Sequence, residues 1–326
     1  MDTWLAATRT SVRLQTWEGY VQFTRKHIIP SLGRSKLSGL RADAIQAFYA
    51  AKLAEGLAPN TIKKIRSVLH RALKMAVKWN YLPRNVADDA DTPAVSRREL
   101  ITLGPAELNR LIECAVAQSE RAGVTAHQTR AAEQWAVLWT LAIHSGCRES
   151  ELLALFWSDV DLDHGTLTVR RNLVTVKGQI PRYGEPKSQN SRRTISLSRE
   201  AIQALRSHKA HQVEERLAAL AWAENDLVFC THFGTPLIRR NVLRAFKQAL
   251  LRAELPASIR FHDLRHAHAT LLLRAGVPLK IASGRLGHSG VGITADLYQH
   301  VASDMDVDAA ERAASAMRSG SSTRVG

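Results

Sequence analysis

The chain has 326 residues, 45% of them hydrophobic, which allows two domains and excludes extensive disorder. Lysine and arginine total 45 against 30 acidic residues, and the resulting net charge of +15 favours a polyanionic partner, either nucleic acid or an acidic membrane surface. No segment reaches the roughly 18 apolar residues of a membrane span. The N-terminus also lacks an apolar signal-peptide core, and the three cysteines have neither zinc-knuckle nor disulfide-framework spacing. We therefore expect a cytoplasmic protein that faces DNA, with a generally basic soluble protein as the alternative.

Residues 1–92 are predicted to form a helical domain. Apolar residues recur at helical spacing in segments 17–28 and 40–55, and most regularly in segment 61–79. The other face of segment 61–79 carries six basic residues and no acidic one, which favours phosphate contacts over an ordinary solvated face. The residues of this segment predicted to bind DNA are Lys63, Lys64, Arg66, Arg71 and Lys74.

A linker is predicted over residues 93–103, where the composition is polar and changes from acidic to basic. A helix should start directly after it. Gly104 is suited to the N-cap, Pro105 to the first helical position and Glu107 to the third. The second domain is accordingly expected to span residues 104–326.

The second domain is predicted to be mainly α with a small antiparallel β-sheet. Segment 165–176 is rich in Thr, Val and Leu, and segment 192–197 is a second strand pattern with polar and Gly/Pro residues between the two. Helices are predicted to resume at Arg199 and to continue towards the C-terminus.

Several residues of the second domain match the requirements of phosphodiester cleavage, which are a nucleophile, cations for the phosphate oxygens and an acid for the leaving oxygen. Arg148 begins a helix after Ser145-Gly146, and His262 and Arg265 share one helix face. Taken singly, an arginine is usually a surface residue, a histidine usually structural, and a tyrosine such as Tyr298 usually half-buried.

Five motifs in order along the chain change that interpretation. They are SGCRESELLAL at 145–155, EPKSQNSRRTISL at 185–197, HDLRH at 262–266, LGHS at 286–289 and YQH at 298–300. Together they resemble the phage-integrase family of tyrosine recombinases, over essentially the whole second domain. The N-terminal helices resemble, less diagnostically, the SAM-like core-binding domain of that family. One departure is Cys147, where the family more often has an aliphatic residue.

The resemblance implies a site-specific recombinase, an enzyme of DNA integration and mobile elements. Tyr298 would be the nucleophile that forms a 3′-phosphotyrosyl link, and Arg148 and Arg265 would clamp the scissile phosphate. Such a covalent intermediate conserves the phosphodiester energy, so neither ATP nor a metal or other cofactor is expected.

The remaining matched positions have supporting roles by the same resemblance. Lys187 would protonate the leaving 5′ oxygen, although Lys177 on the neighbouring segment is a competitor. His262 would assist proton transfer, His288 would hydrogen-bond the phosphate, and Glu151 would support the active site.

The family also implies a partner and an assembly. The partner would be double-stranded DNA with inverted half-sites, and the protein would act on it as a tetramer, associated with the nucleoid when bound. A C-terminal helix over residues 303–318 would be donated to a neighbouring protomer, with a helix packed on its own domain as the alternative. The chain is expected to begin directly with the core-binding helices, without the arm-binding domain of many phage integrases, either because it belongs to the simpler recombinases or because it was shortened. A type IB topoisomerase and a catalytically silent DNA-binding relative are the alternatives.

Overall fold

The computed structural model describes residues 1–94, 103–119, 125–175, 181–184 and 192–287. These residues belong to two compact units, one formed by the described residues up to 94 and the other by those from 103 onwards. The predicted linker, 93–103, lies mostly outside the described residues. No helix in these ranges is both long and apolar enough to cross a membrane.

The first unit is helical, as predicted. Its α-helices are α1 (Asp2–Thr8), α2 (Leu14–Phe23), α3 (Ile29–Leu32), α4 (Ala42–Ala54) and α5 (Pro59–Lys78). A π-helical turn over Thr24–Ile28 separates α2 from α3, so the predicted segment 17–28 is not one regular α-helix. Short 3-10 turns occur at Leu37–Gly39 and Val86–Asp89.

Helix α5 is the central element of this unit. It starts at Pro59, where a fixed φ and the missing N–H suit a first helical position. Its apolar face is buried as the spacing predicted, with Ile62 and Ile65 fully inaccessible to solvent. Its basic face is therefore turned away from the core of the unit.

The second unit is mainly helical with a small amount of antiparallel sheet, which confirms the predicted fold class. Its helices are α6 (Pro105–Ser119), α7 (Ala126–Ser145), α8 (Glu149–Leu152), α9 (Arg199–Ala218), α10 (Arg239–Arg252), α11 (Phe261–Arg274) and α12 (Leu279–Leu286). The start of α6 has the predicted cap, since the Gly104 amide donates to Glu107 Oε2 at 2.9 Å.

The strands are β1 (Val160–Asp161), β2 (Thr166–Val169), β3 (Asn172–Val174), β4 (Arg182–Gly184) and β5 (Arg193–Ser196). They form one antiparallel sheet in the order β1-β2-β5 and a separate antiparallel pair, β3-β4. The predicted strand over 165–176 is thus two strands in two sheets, and β4 was not predicted. Helices were predicted to resume at Arg199, and that prediction was wrong for residues 219–238, which are largely turns and isolated bridges.

Three aromatic rings join the helices that carry the candidate site. Trp139 of α7 contacts Phe246 of α10 and Phe261 of α11 edge-on, with centroids 5.3 and 5.6 Å apart. The Phe246 and Phe261 rings are 5.5 Å apart. This buried cluster ties the first residue of α11 to α7, and thereby fixes the His262-Arg265 motif relative to the end of α7.

Candidate active site

A tight turn at the end of α7 leads into the site. Gly146 has φ +63°, and its amide donates to the Ala142 carbonyl, an αL C-cap. A Cβ at Gly146 would lie 2.5 Å from His268 Cδ2 and 2.9 Å from a Leu286 methyl group. Only glycine therefore fits both the backbone conformation and the space at this turn.

Arg148 is the N-cap residue of α8, with an extended backbone and a side chain that is 34% exposed. Its amide donates to Glu151 Oε2 at 2.8 Å, and its Nη1 donates to Glu151 Oε1 at 2.7 Å. The interaction with Glu151 explains how an arginine is accommodated at a helix N-terminus, where the dipole disfavours a cation.

Glu151 is almost completely buried and also accepts hydrogen bonds from Arg193 on β5, at 3.2 Å from Nη1 and 2.9 Å from Nη2. Burial acts to raise the pKa of Glu151, but the hydrogen bonds and charge of Arg193, followed by those of Arg148, outweigh it and lower the pKa overall. Glu151 is consequently a carboxylate shared by two guanidinium groups.

Arg265 of α11 is only 3% exposed. Its Nη1 donates to the Gly146 carbonyl at 2.7 Å and its Nη2 to the Leu286 carbonyl at 2.5 Å. Desolvation, followed by the positive charge of Arg148, lowers the pKa of Arg265 to about 9. A buried guanidinium whose charge is only partly compensated favours a bound anion.

The last turn of α12 is held by three arginines from three different elements. Arg193 Nε donates to the Arg285 carbonyl at 2.7 Å, Arg265 Nη2 to the Leu286 carbonyl at 2.5 Å, and Arg148 Nη2 to the Gly287 carbonyl at 3.3 Å. These carbonyls have no partner within the helix, because they belong to its C-terminal end. The residue that follows Gly287 is His288, so the arginines fix the start of the LGHS motif.

His262 has an exposed side chain at the start of α11, and its ring packs edge-on against His266 at 4.8 Å. Partial desolvation, then the positive charges of His266, Arg265 and Arg148, lower the pKa of His262 to about 4. The ring is therefore neutral at pH 7.

A further polar network lies behind the arginines. Arg285 Nε donates to His268 Nε2 at 3.1 Å, and Arg285 Nη2 donates to the His144 carbonyl at 3.0 Å. His144 Nδ1 contacts Ser198 Oγ at 2.8 Å. The ends of α7 and α12 and the start of α9 are thus connected on the side of the site that faces the core.

Four of the predicted site residues are brought together in this arrangement, namely Arg148, Glu151, His262 and Arg265. The other predicted catalytic residues, Lys187, His288 and Tyr298, lie outside the described residues, as does Lys177. Arg193 belongs to the site but was not singled out from the sequence. Its signal was strand alternation, because Arg193 and the buried Ile195 share one face of β5.

The predicted DNA-binding residues of the first unit occupy one face of α5. The side chains of Lys63, Lys64, Arg71 and Lys74 are exposed. Arg66 differs from them, since it is half-buried and its Nε is inaccessible without a hydrogen-bond partner among the described residues. Arg66 is therefore less accessible to a phosphate than the other four residues.

Comparisons with known proteins match both units. The chain matches the model of the phage integrase family over residues 104–305 and that of the phage integrase N-terminal SAM-like domain over residues 1–53. It is 32% identical to a tyrosine recombinase XerC-like protein of Caldanaerobacter subterraneus, over 95% of this chain and 81% of the relative. It is also 32% identical to an integrase of Streptomyces ambofaciens, over 92% of this chain and 74% of the relative.

Solved structures share the fold. The Tn1549 transposon integrase in complex with transposon right end DNA superposes with a TM-score of 0.76 at 20% identity, covering 95% of this chain and 98% of that one. A lambda integrase dimer bound to a core site superposes with a TM-score of 0.63 at 20% identity, covering 91% of this chain and 76% of that one.

These matches define an enzyme that breaks and rejoins DNA strands. The chain belongs to the phage integrase family and is a site-specific recombinase of the tyrosine type. The comparisons do not favour the alternative of a type IB topoisomerase.

Proposed function

We propose that this recombinase cleaves DNA by attack of Tyr298 on a scissile phosphate, which leaves a 3′-phosphotyrosyl bond and a free 5′ hydroxyl. Attack of a 5′ hydroxyl on that bond rejoins the strands, with no ATP or metal. The observation that carries the proposal is the convergence of Arg148 and Arg265 on adjacent carbonyls, Gly287 and Leu286, directly before His288.

The phosphate would be held by the two arginines. Both donate to carbonyl oxygens, which bear only partial negative charge, and Arg148 donates in addition to the carboxylate of Glu151. Phosphate oxygens carry full charge and accept the planar guanidinium fork bidentately, so they are stronger partners. The pKa of Arg265, lowered to about 9, would rise once this anion is bound. The same contacts would stabilise the additional charge of the transition state.

Proton transfer would be divided among the remaining matched residues. Tyrosine has a reference pKa of about 10, so Tyr298 requires cations and a base to attack at neutral pH. His262 is neutral at pH 7, and the negative charge of a bound phosphate would raise its lowered pKa and make it a stronger base for the tyrosine proton. Lys187 would donate a proton to the leaving 5′ oxygen, and His288 would hydrogen-bond the phosphate.

The exposed basic face of α5 supports a DNA-binding role for the first unit. Contacts of this type position a protein on the duplex without specifying its sequence. The lambda integrase relatives of known structure are a dimer on a core site and a tetramer on a Holliday junction. We propose that this chain likewise pairs two sites, each with inverted half-sites, as a tetramer assembled through the C-terminal helix over residues 303–318.

Covalent trapping tests the proposal. Sheared genomic DNA of the encoding organism is incubated with the wild type, Tyr298→Phe and the control Tyr183→Phe, and denaturant-resistant adducts are recovered. Tyr183 is the exposed tyrosine of β4. Wild type and control should enrich one discrete sequence, whereas Tyr298→Phe should trap none. Absence of wild-type adducts, or their persistence in Tyr298→Phe, would contradict the proposal.

A plasmid assay then tests site pairing. The enriched sequence is placed on a supercoiled plasmid in one or two copies. Deletion or inversion between two copies is the expected product, and relaxation without exchange of strands would point to a topoisomerase instead.

A further inference from the structure

We infer that Arg193 is a positioning residue of the cleavage reaction, one that satisfies Glu151 so that the positive charge of Arg148 remains available to the scissile phosphate. The inference rests on the proposed function, because it concerns how the same phosphate is held.

The placement of Arg193 is unusual for a cation. It is the first residue of β5 and pairs with Val169 of β2, and its side chain is only 7% exposed. A buried arginine is costly unless its donors are satisfied. Here the two Nη groups bind both oxygens of Glu151, and Nε binds the Arg285 carbonyl. The buried side chain of Arg193 thus binds two parts of the site, the carboxylate of Glu151 and the C-terminal end of α12.

The charge balance explains why this arrangement affects Arg148. Glu151 is a single carboxylate in contact with two guanidinium groups. If Arg193 were absent, Glu151 and Arg148 would form a closed pair whose charges cancel. With Arg193 present, Arg148, Arg193 and Glu151 together carry a net charge of +1. Arg148 is the more exposed partner, 34% against 7% for Arg193, so the excess charge lies on the arginine that a phosphate can reach from solvent.

The hydrogen bonds of Arg193 also order the surroundings of the phosphate. By holding the Arg285 carbonyl, Arg193 anchors α12 two residues before Gly287, whose carbonyl binds Arg148. In the sequence, Arg193 lies six residues after Lys187. The buried side chain of Arg193 therefore contacts both Glu151 and α12, and Arg193 is close in the sequence to Lys187, the predicted general acid.

A purely structural ion pair is the competing interpretation, and the two make different predictions. If Arg193 only stabilised the fold, its loss would lower the thermal midpoint, with coupling to Glu151 in stability because the two residues are in contact, but the folded variant would cleave DNA at the wild-type rate. If Arg193 counterbalances Glu151, removing the negative charge should partly compensate for removing the positive one. A double-mutant cycle measures this coupling directly.

The test uses full-length protein and the DNA duplex enriched by covalent trapping with the wild type. Single-turnover cleavage rates, duplex affinities and thermal midpoints are measured for Arg193→Met, Arg193→Lys, Glu151→Gln and Arg193→Met/Glu151→Gln. Arg206→Met is the matched control, since Arg206 forms an exposed ion pair with Asp163 in the same unit. Arg206→Met should cleave at the wild-type rate.

We expect Arg193→Met to slow cleavage by roughly 10- to 100-fold, with duplex affinity unchanged. This is the size of effect seen in metal enzymes when a residue that orients a metal ligand is removed, and Arg193 would orient Glu151 and Arg148 in a similar way. The double variant should cleave faster than Arg193→Met alone. Arg193→Lys keeps a cation beside Glu151 and should be intermediate. If Arg193→Met does not fold, the folded Arg193→Lys, alone and with Glu151→Gln, decides by the same comparison.

Three results would overturn the inference. The first is that Arg193→Met cleaves DNA at the wild-type rate. The second is that the rate of the double variant is reduced by the product of the two single reductions. The third is that Arg193→Met loses duplex affinity and cleavage rate by the same factor. A wild type that traps no DNA would instead contradict the proposed function itself. If the wild type cleaves DNA and Arg193→Met cleaves it at the same rate, only the role of Arg193 would be refuted.

Discussion

Arg265 and Leu286 are joined by a hydrogen bond of 2.5 Å from the Nη2 group to the main-chain carbonyl, although they lie on different helices, α11 and α12. The arginine of the HDLRH motif therefore holds the first residue of the LGHS motif in place. The same guanidinium group also binds the carbonyl of Gly146, in the SGCRESELLAL motif. Three motifs that are far apart in the chain meet at this single side chain.

Replacing Arg265 by lysine should slow DNA cleavage strongly. Lysine keeps a positive charge but cannot make two parallel hydrogen bonds to a phosphate or to the two carbonyls that Arg265 now binds. Loss of one preorganised donor to a transition-state oxyanion typically costs on the order of 10²–10³-fold in rate. Single-turnover cleavage of the trapped duplex measures the effect. Arg274→Lys, an exposed change on the same helix, is the control, and equal rates for both variants would contradict the assignment.

Replacing Gly146 by alanine should destabilise the second unit and impair the site. The residue has φ +63°, and a Cβ would approach His268 Cδ2 to 2.5 Å. Strain of this kind costs about 1 to 3 kcal/mol, and relieving it would move the carbonyl that Arg265 binds. Gly284→Ala is the matched control, because nothing lies within 4 Å of its added Cβ. Thermal unfolding should separate the variants, and equal midpoints would refute the steric argument.

The stability of the second unit should fall as the pH drops below neutrality. His208 is buried against the Val228 carbonyl, and desolvation lowers its pKa from 6.5 to about 4. The unfolded chain therefore takes up the proton first, so the stabilisation is complete above pH 6.5 and is lost as the pH falls towards 4. The loss between pH 7 and pH 5 is about 2 kcal/mol for such a shift.

His208→Gln isolates this contribution. Glutamine has no titratable group, so the variant should lose less of its free energy of unfolding than the wild type between pH 7 and pH 5. Denaturant titrations at the two pH values give the comparison. An identical pH dependence in both proteins would show that His208 is not the proton-linked group.

Non-specific DNA binding should depend on the exposed basic face of α5. Removing a phosphate contact lowers the slope of log affinity against log salt by about 0.9 for duplex DNA. Lys63→Gln and Lys74→Gln should each reduce the slope by this amount on a short duplex of arbitrary sequence. Arg41→Gln is the control, because Arg41 is an exposed residue that pairs with Asp43 elsewhere in the first unit. Unchanged slopes in both α5 variants would show that this face does not contact phosphates.

Local patterns in the sequence were sufficient to predict much of this structure. The apolar spacing of 61–79 predicted the buried face of α5, and Gly104 and Glu107 predicted the start of α6. Strand boundaries were harder, because β3 and β4 pair with each other rather than with β2, and register depends on partners that one segment does not reveal. The π-turn after α2 had no local signal either.

The candidate site was predicted through its motifs, not through its contacts. Arg148, Glu151, His262 and Arg265, which the motifs singled out, lie close together in the structure, and their catalytic roles stay predictions. Arg193 was missed, although its alternation with Ile195 on β5 marked it as inward-facing. An arginine that faces the interior next to a buried Ile requires a buried acceptor, and that acceptor, Glu151, is 42 residues away in the chain. Long-range pairing of this kind is visible only in three dimensions.

Peptide mapping of the trapped protein–DNA adduct tests the central claim most directly. The adduct is digested with nuclease and protease, and the nucleotide-bearing peptide is sequenced by mass spectrometry. The account predicts a single modified residue, Tyr298, linked through phosphate to the 3′ oxygen of the nucleotide. A nucleotide on any other residue, or a linkage to the 5′ oxygen, would contradict it.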